Sequence, residues 1–127
     1  MNEDEKKLRV PIVAGSRKTT YAAGEYIFRE GEMGDTAFVL LDGKVQITRR
    51  VDDKVKPVGV VTIGGMFGEM ALIDDAARMA TAQAVGGSTE ALVISRRLFE
   101  EKLESADPFL RALITILAKR VRPMGDK

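Results

Sequence analysis

The chain contains no cysteine and no histidine. Without cysteine there is no disulfide framework, no iron–sulfur cluster and no thiol nucleophile. Without histidine the commonest metal ligand and the commonest general base are both missing. The usual haem and zinc sites are therefore excluded. Carboxylates alone could hold magnesium or calcium, but no acidic run has the spacing of a calcium loop. No metal, no cofactor and no catalytic residue is expected, and an enzyme is disfavoured. Long apolar runs are also lacking: none reaches the roughly 18 residues that span a bilayer. The charged N-terminus has no apolar signal core. The simplest expectation is a cytoplasmic protein with no membrane span. A charge excess of either sign is absent too, with 20 basic residues against 19 acidic ones. That balance gives no bulk attraction to nucleic acid, and nothing in the sequence reads as a recognition helix. Direct DNA binding is not expected.

What is present suits one domain. The 127 residues are 45% hydrophobic and 31% charged, as in soluble globular proteins. Residues 1–16 are weakly patterned; Val10–Val13 could add an edge strand, limited by Pro11 and Gly15. Residues 17–122 read as the folded domain and 123–127 as a tail. Glycines at 24, 31, 34, 43, 59, 64, 65 and 68 separate short β-rich runs, the pattern of a sandwich or barrel. Thr36 to Arg49 reads as a hairpin around Asp42-Gly43, a dipeptide suited to a type I′ turn. Val45 and Ile47 alternate with Gln46 and Thr48, giving one dry and one wet face. Asp52-Asp53 turns the chain again, and Val58–Ile63 reads as a more fully buried strand. A short helix is expected at Glu69–Ile73, then strands near Ala80–Val85 and Ala91–Ser95. Arg96–Leu103 and a final segment beginning at Asp107-Pro108 read as helices, the second with an N-cap and a first-turn proline. Leu110, Leu113, Ile114, Leu117 and Val121 form its apolar stripe, widened by Phe109 and Ile116. The stripe is either core against the roll or a dimer face, and Pro123 and Gly125 are expected to end the helix. The fold class is mainly β: a double-stranded β-helix (jelly roll, or β-roll) with C-terminal helices.

One segment carries chemistry. Phe67 to Thr81 combines Gly68, which permits close backbone approach, with a short helix whose first N–H groups are unpaired. Arg78 can fork two donors onto phosphate oxygens. Glu69 is an acceptor suited to hydroxyls such as those of a ribose. Anion site and hydroxyl acceptor together fit a sugar phosphate. A surface ion pair between Glu69 and Arg78 beside a glycine-rich turn fits the same residues.

Phe67-Gly68-Glu69-Met70-Ala71-Leu72, five residues, then Arg78-Met79-Ala80-Thr81 resembles the phosphate-binding cassette of cyclic-nucleotide-binding domains. Gly24-Glu25-Tyr26-Ile27-Phe28, Gly31-Glu32-Met33-Gly34-Asp35, Gly43-Lys44-Val45, Leu92-Val93-Ile94 and Arg97-Leu98-Phe99 match the family's flanking motifs. The resemblance covers about residues 20–122.

The resemblance implies the following roles. Arg78 would bind the exocyclic phosphate oxygens and Glu69 the ribose 2′-hydroxyl. Amides near Gly68, Ala71 and Ala80 would complete the anion cradle. Met70, Leu72 and Ile73 would be apolar staples of the cassette helix, which plain core packing also explains. Val61 would lie under the purine. Asp35 would support Arg78 from behind, or cap a turn after Gly34. Members that prefer cyclic GMP often carry Thr or Ser after the arginine; Met79 stands there, which favours cyclic AMP over cyclic GMP. Ala77 replaces a common proline. The implied function is a cyclic-nucleotide sensor acting through movement of its C-terminal helix. Its partner would be an unidentified protein effector or a second copy. The competing expectation is a scaffold subunit that keeps the fold with an empty pocket.

Overall fold

The computed structural model describes residues 15–125, with side chains to residue 118. The expected edge strand at Val10–Val13 and the tail beyond Gly125 lie outside the described residues. Among the described residues eight strands precede two helices: β1 (Arg17–Tyr21), β2 (Tyr26–Phe28), β3 (Thr36–Asp42), β4 (Val45–Val51), β5 (Lys54–Val61), β6 (Met66–Phe67), β7 (Thr81–Ala84) and β8 (Thr89–Ser95). A 3₁₀ turn at Glu69–Leu72 sits between β6 and β7, and α1 (Arg96–Glu104) and α2 (Pro108–Gly125) close the chain. The strands form two antiparallel four-stranded sheets, ordered β1-β8-β3-β6 and β2-β7-β4-β5. This is the expected β-roll with C-terminal helices.

The core lies between the sheets. Phe38 and Leu40 from β3, Val45 from β4, Phe67, Ala82, Ala91 and Val93 form one buried cluster. Phe28, Ile47 and Val61 pack against it from partly buried positions. The alternate residues Val39, Leu41 and Leu92 bury the opposite face of the first sheet. Both faces of β3 are therefore covered, which is why Ala37 to Leu41 is apolar without alternation.

Two strand expectations need correction. The segment Thr36–Arg49 is not a hairpin: β3 and β4 belong to different sheets. Asp42-Gly43 carries the chain across the roll, with Gly43 at φ +90° and Asp42 outside the left-handed region. A β-carbon at Gly43 would stand 2.8 Å from Cα of Thr89, so the glycine serves close approach to β8 rather than a type I′ turn. The true two-residue hairpin turn is Asp52-Asp53, at φ 52° and 64°, joining Val51 to its register partner Lys54. Both central residues are left-handed, the condition for type I′, and aspartate tolerates it better than most residues.

The second correction concerns Val58–Ile63, read as a buried strand. Among the described residues β5 pairs only with β4 and forms a sheet edge. Val58 and Val60 are 55% and 56% exposed, and only Val61 reaches the core cluster. Lys54, Lys56, Pro57 and a register shift opposite Ile47/Thr48 are devices that discourage pairing at an open edge.

The helices start where expected. Ser95 Oγ accepts from Leu98 N at 3.1 Å, and Asp107 Oδ1 accepts from Phe109 N at 2.9 Å. The end of α2 differs from expectation, since the helix continues through Pro123 to Gly125. Its stripe differs more. Leu110, Leu113, Ile114 and Leu117 are 39–51% exposed and Phe109 is 73% exposed. The stripe is thus not core against the roll; the side chain of Val121 lies outside the described set. No helix among the described residues is long and apolar enough to cross a membrane.

Candidate functional site

The Phe67–Thr81 segment bridges the two sheets: β6 belongs to one and β7 to the other. Gly68, at φ +72°, caps the 3₁₀ turn. Ala71 and Leu72 are buried, whereas Ile73 is exposed at the turn's end. Of the expected staples, then, Leu72 anchors the turn, Met70 faces the pocket described below and Ile73 does not enter the core.

Arg78 is held by backbone and side chain together. Its N–H donates to the Glu32 carbonyl at 2.8 Å, and its own carbonyl accepts from Gly31 N at 2.8 Å. Its Nη1 donates to the carbonyls of Thr36 (2.9 Å) and Gly68 (3.2 Å), and Nη2 to Thr36 Oγ1 (3.1 Å). The guanidinium also lies 4.2 Å from the Phe28 ring centroid, a cation–π distance. Two glycines make room for it. A β-carbon on Gly34 would stand 2.6 Å from Nη2, and one on Gly68 2.9 Å from Nη1. Burial lowers the pKa of Arg78 from its ordinary value, and the nearby charges of Asp35 and Glu32 act against that shift. The group stays cationic at neutral pH, as arginine does throughout. Of its five N–H donors, the three just named are engaged, which leaves two.

Among the described residues no hydrogen bond or ion pair joins Asp35 to Arg78. The expected contact is replaced by Thr36, one residue further along; Asp35 acts on the arginine only through its charge. Asp35 instead accepts, through its carbonyl, from Arg96 N at 2.8 Å. Glu69 is exposed and forms no ion pair with Arg78, so the plain surface pair is not what the fold builds. The N–H of Ala71 points to the Gly68 carbonyl at 3.3 Å, which removes it from the set of free cradle amides.

These groups border a pocket of about 270 Å³. Gly68, Glu69, Met70, Ala71, Arg78, Met79, Ala80 and Val61 all line it. Asp35 does not. Its apolar wall is made by Phe28, Ile47, Val61 and Met66. Phe28, Ile47, Met66 and the anchor Thr36 were not singled out from the sequence. The alternation Val45-Gln46-Ile47 carries the signal for one of them, Ile47. A pocket with an apolar wall, one guanidinium and one exposed carboxylate can take an amphiphilic anion bearing hydroxyls.

Arg96, the first residue of α1, ties the far side of the segment. Its Nε and Nη2 donate to the Ala71 carbonyl at 2.9 and 2.7 Å. It also bonds the Asp74 carbonyl and pairs with the Asp75 carboxylate. Among the described residues no group of three or more His, Cys, Asp or Glu side chains is placed to hold a metal ion.

Comparisons with known proteins bear on this site. Residues 18–106 match the family model of the cyclic nucleotide-binding domain. The chain is 38% identical over 95 residues to cGMP-dependent protein kinase 2 of Mus musculus, covering 73% of this chain and 12% of the kinase. It is 31% identical over 87 residues to the cAMP-dependent protein kinase regulatory subunit of Mycosarcoma maydis, covering 65% of this chain and 17% of the subunit. The chain therefore spans well under a fifth of either relative. Among solved structures, the halfsite-occupied form of EAL enzyme Bd1971 superposes with TM-score 0.77 at 29% identity, over 87% of this chain and 98% of that one. The same enzyme is also solved in cGMP-bound and cAMP-bound forms, with TM-scores of 0.72 and 0.70.

Proposed function

The chain belongs to the cyclic nucleotide-binding domain family, and from that premise we propose that it is a sensor module whose pocket takes cyclic AMP in preference to cyclic GMP. The observation that carries this reading is the position of Arg78. A cation with two N–H donors in reserve borders an otherwise apolar pocket, with the Glu69 carboxylate on the same wall. The phosphate sits against Arg78 and the amides of the Gly68 turn, where the charge-assisted fork is strongest. Glu69 accepts from the ribose 2′-hydroxyl. The purine lies along Val61 and Ile47, on the apolar wall. Met79 adds no donor and only a weak acceptor, so it offers the guanine amino group no partner. The named relatives divide between the two nucleotides, and Met79 is the residue that favours adenine.

The response travels through the cassette. Phosphate draws the turn at Gly68–Leu72 toward Arg78. Arg96 carries that movement to α1, whose side chain grips the carbonyls of Ala71 and Asp74. α2 follows, three residues further on, and its apolar stripe is what a protein effector or a second copy reads. Such a shift requires the nucleotide to bind the two arrangements with different affinity.

Calorimetry with both nucleotides tests the reading. Cyclic AMP binds more tightly than cyclic GMP, and Arg78→Ala weakens cyclic AMP by about 2–5 kcal/mol, thirtyfold or more in Kd. No heat from either nucleotide at about 1 mM would favour the competing reading, a scaffold subunit that keeps the fold with an empty pocket.

A further inference from the structure

The second sheet has an outward face that the nucleotide pocket does not use. Alternation buries Val45, Ala82 and Ala84 and turns their neighbours Gln46, Thr48, Thr81 and Gln83 the other way. These four are cross-strand partners, Gln46 with Gln83 and Thr48 with Thr81. They floor a recess of about 440 Å³ whose walls carry Arg29, Arg49 and Arg50.

Among the described residues no ion pair or hydrogen bond engages the guanidinium of any of the three; the backbone N–H groups of Arg29 and Arg50 donate to the carboxylates of Glu32 and Glu30. The Nε of Arg49 is buried and has no hydrogen-bond partner among the described residues. Buried donors in native proteins are nearly always paired, so an unpaired one calls for a missing acceptor. Glu30, the one acidic residue lining the recess, does not provide it; its Oε1 accepts instead from the backbone N–H of Arg50 at 2.8 Å. Arg29 is fixed in place, its guanidinium 3.9 Å from the Tyr26 ring centroid. Three cations with idle donors, the Nε of one of them buried, call for a ligand with several acceptor oxygens and more than one negative charge.

We infer that this recess is a second anion site, separate from the nucleotide pocket, that takes a small phosphate-bearing ligand. Guanidinium forks match phosphate oxygens in geometry as well as charge, and the threonine hydroxyls of the floor add neutral donors. The site shares strands with the nucleotide pocket. Thr81 is the last residue of the cassette and the first of β7, and its Oγ1 accepts from Glu30 N at 2.9 Å, so the two ligands meet the same β7 from opposite sides.

Pyrophosphate is the probe. It is titrated at low ionic strength into the nitrogen-15-labelled full chain, and the arginine Nε–Hε and backbone amide resonances are followed. The expected result is saturable shifts at Arg49 Nε and at the Thr48 and Thr81 amides, with Kd below about 1 mM. Arg49→Gln and, independently, Arg29→Gln raise that Kd about tenfold; the second variant stands in should the first unfold. Arg78→Ala leaves it within about twofold, because the cassette is not involved. The inference is overturned if the shifts are confined to residues 68–80. It is equally overturned if neither glutamine variant changes the titration, or if nothing shifts up to about 10 mM. None of these outcomes depends on whether cyclic AMP binds.

Discussion

Arg78 meets Thr36 at two points, 42 positions apart in sequence: Nη1 donates to the carbonyl at 2.9 Å and Nη2 to the hydroxyl at 3.1 Å. Thr36 opens β3, at the centre of the first sheet, whereas Arg78 leads into β7 of the second. The contact therefore sets the guanidinium relative to both sheets at once. It also occupies part of the donor fork before any ligand arrives, so the arginine is oriented in advance rather than recruited from solvent.

Thr36→Val keeps the carbonyl and the β-branched shape and removes only the hydroxyl. A lost neutral hydrogen bond is worth about 0.5–1.5 kcal/mol. Cyclic AMP affinity is expected to fall about two- to twelvefold, measured by calorimetry beside a thermal melt. An unchanged Kd would mean that the hydroxyl plays no part in presenting the arginine.

Gly34 and Gly24 separate two reasons for glycine. Gly34 has no left-handed φ, but its β-carbon would collide with Arg78 at 2.6 Å. Gly24 is left-handed at φ +86° with open space around it. Gly34→Ala is expected to displace the guanidinium and weaken cyclic AMP at least about tenfold while the protein stays folded. Gly24→Ala is expected to cost about 1–2 kcal/mol of stability and leave Kd alone. Denaturant titration and calorimetry on both variants distinguish the patterns, and equal effects on the two would refute the division.

Met79→Thr places a hydroxyl acceptor on the pocket wall. Cyclic GMP is expected to gain about 1 kcal/mol, roughly fivefold, with cyclic AMP changed less than about twofold. Competition binding of the two nucleotides to the variant reads this directly. A selectivity ratio that does not move would show that preference is set elsewhere in the pocket.

The Asp52-Asp53 turn stores strain that glycine would relieve. Both residues are left-handed, at φ 52° and 64°. Asp53→Gly removes a side-chain penalty of about 1 kcal/mol, partly offset by the freer unfolded chain. A net gain of about 0.5 kcal/mol is expected, raising Tm by about 2–3 °C, with nucleotide affinity untouched. Calorimetric melting that finds a lower Tm would mean that the aspartates make contacts worth more than their strain.

Much of this site could be read from the sequence because its key residues are contiguous. Glu69 and Arg78 lie on one segment with fixed spacing, and every pocket residue expected from that segment lines the pocket. Thr36 could not be found that way, since only the pairing of distant strands brings it to Arg78. Asp42-Gly43 misled for the same reason: the dipeptide fits a hairpin, but whether two strands pair depends on partners elsewhere, here β8 and β7. The valine run of β5 fits a buried strand and an open edge equally well, and only the sheet order decides. On α2 the helical period fits a core face and an open face equally well, and the described residues of the stripe are exposed.

The crossing of the chain between sheets at Gly43 also shapes how the protein forms. β4 and β5 are the pair of strands joined by a tight turn; β1 must wait for β8, and β2 for β7. Arg17 pairs with Val93, at nearly the full width of the domain in sequence. Topologies dominated by such distant closures fold slowly, in milliseconds to seconds, because loop entropy is lost before contacts repay it. During synthesis the ribosome must release Thr89–Ser95 before β1 and β3 acquire their shared partner. Until then the chain holds the β4–β5 hairpin with Phe38, Leu40 and Val45 uncovered, which makes this the interval in which it is most prone to aggregate.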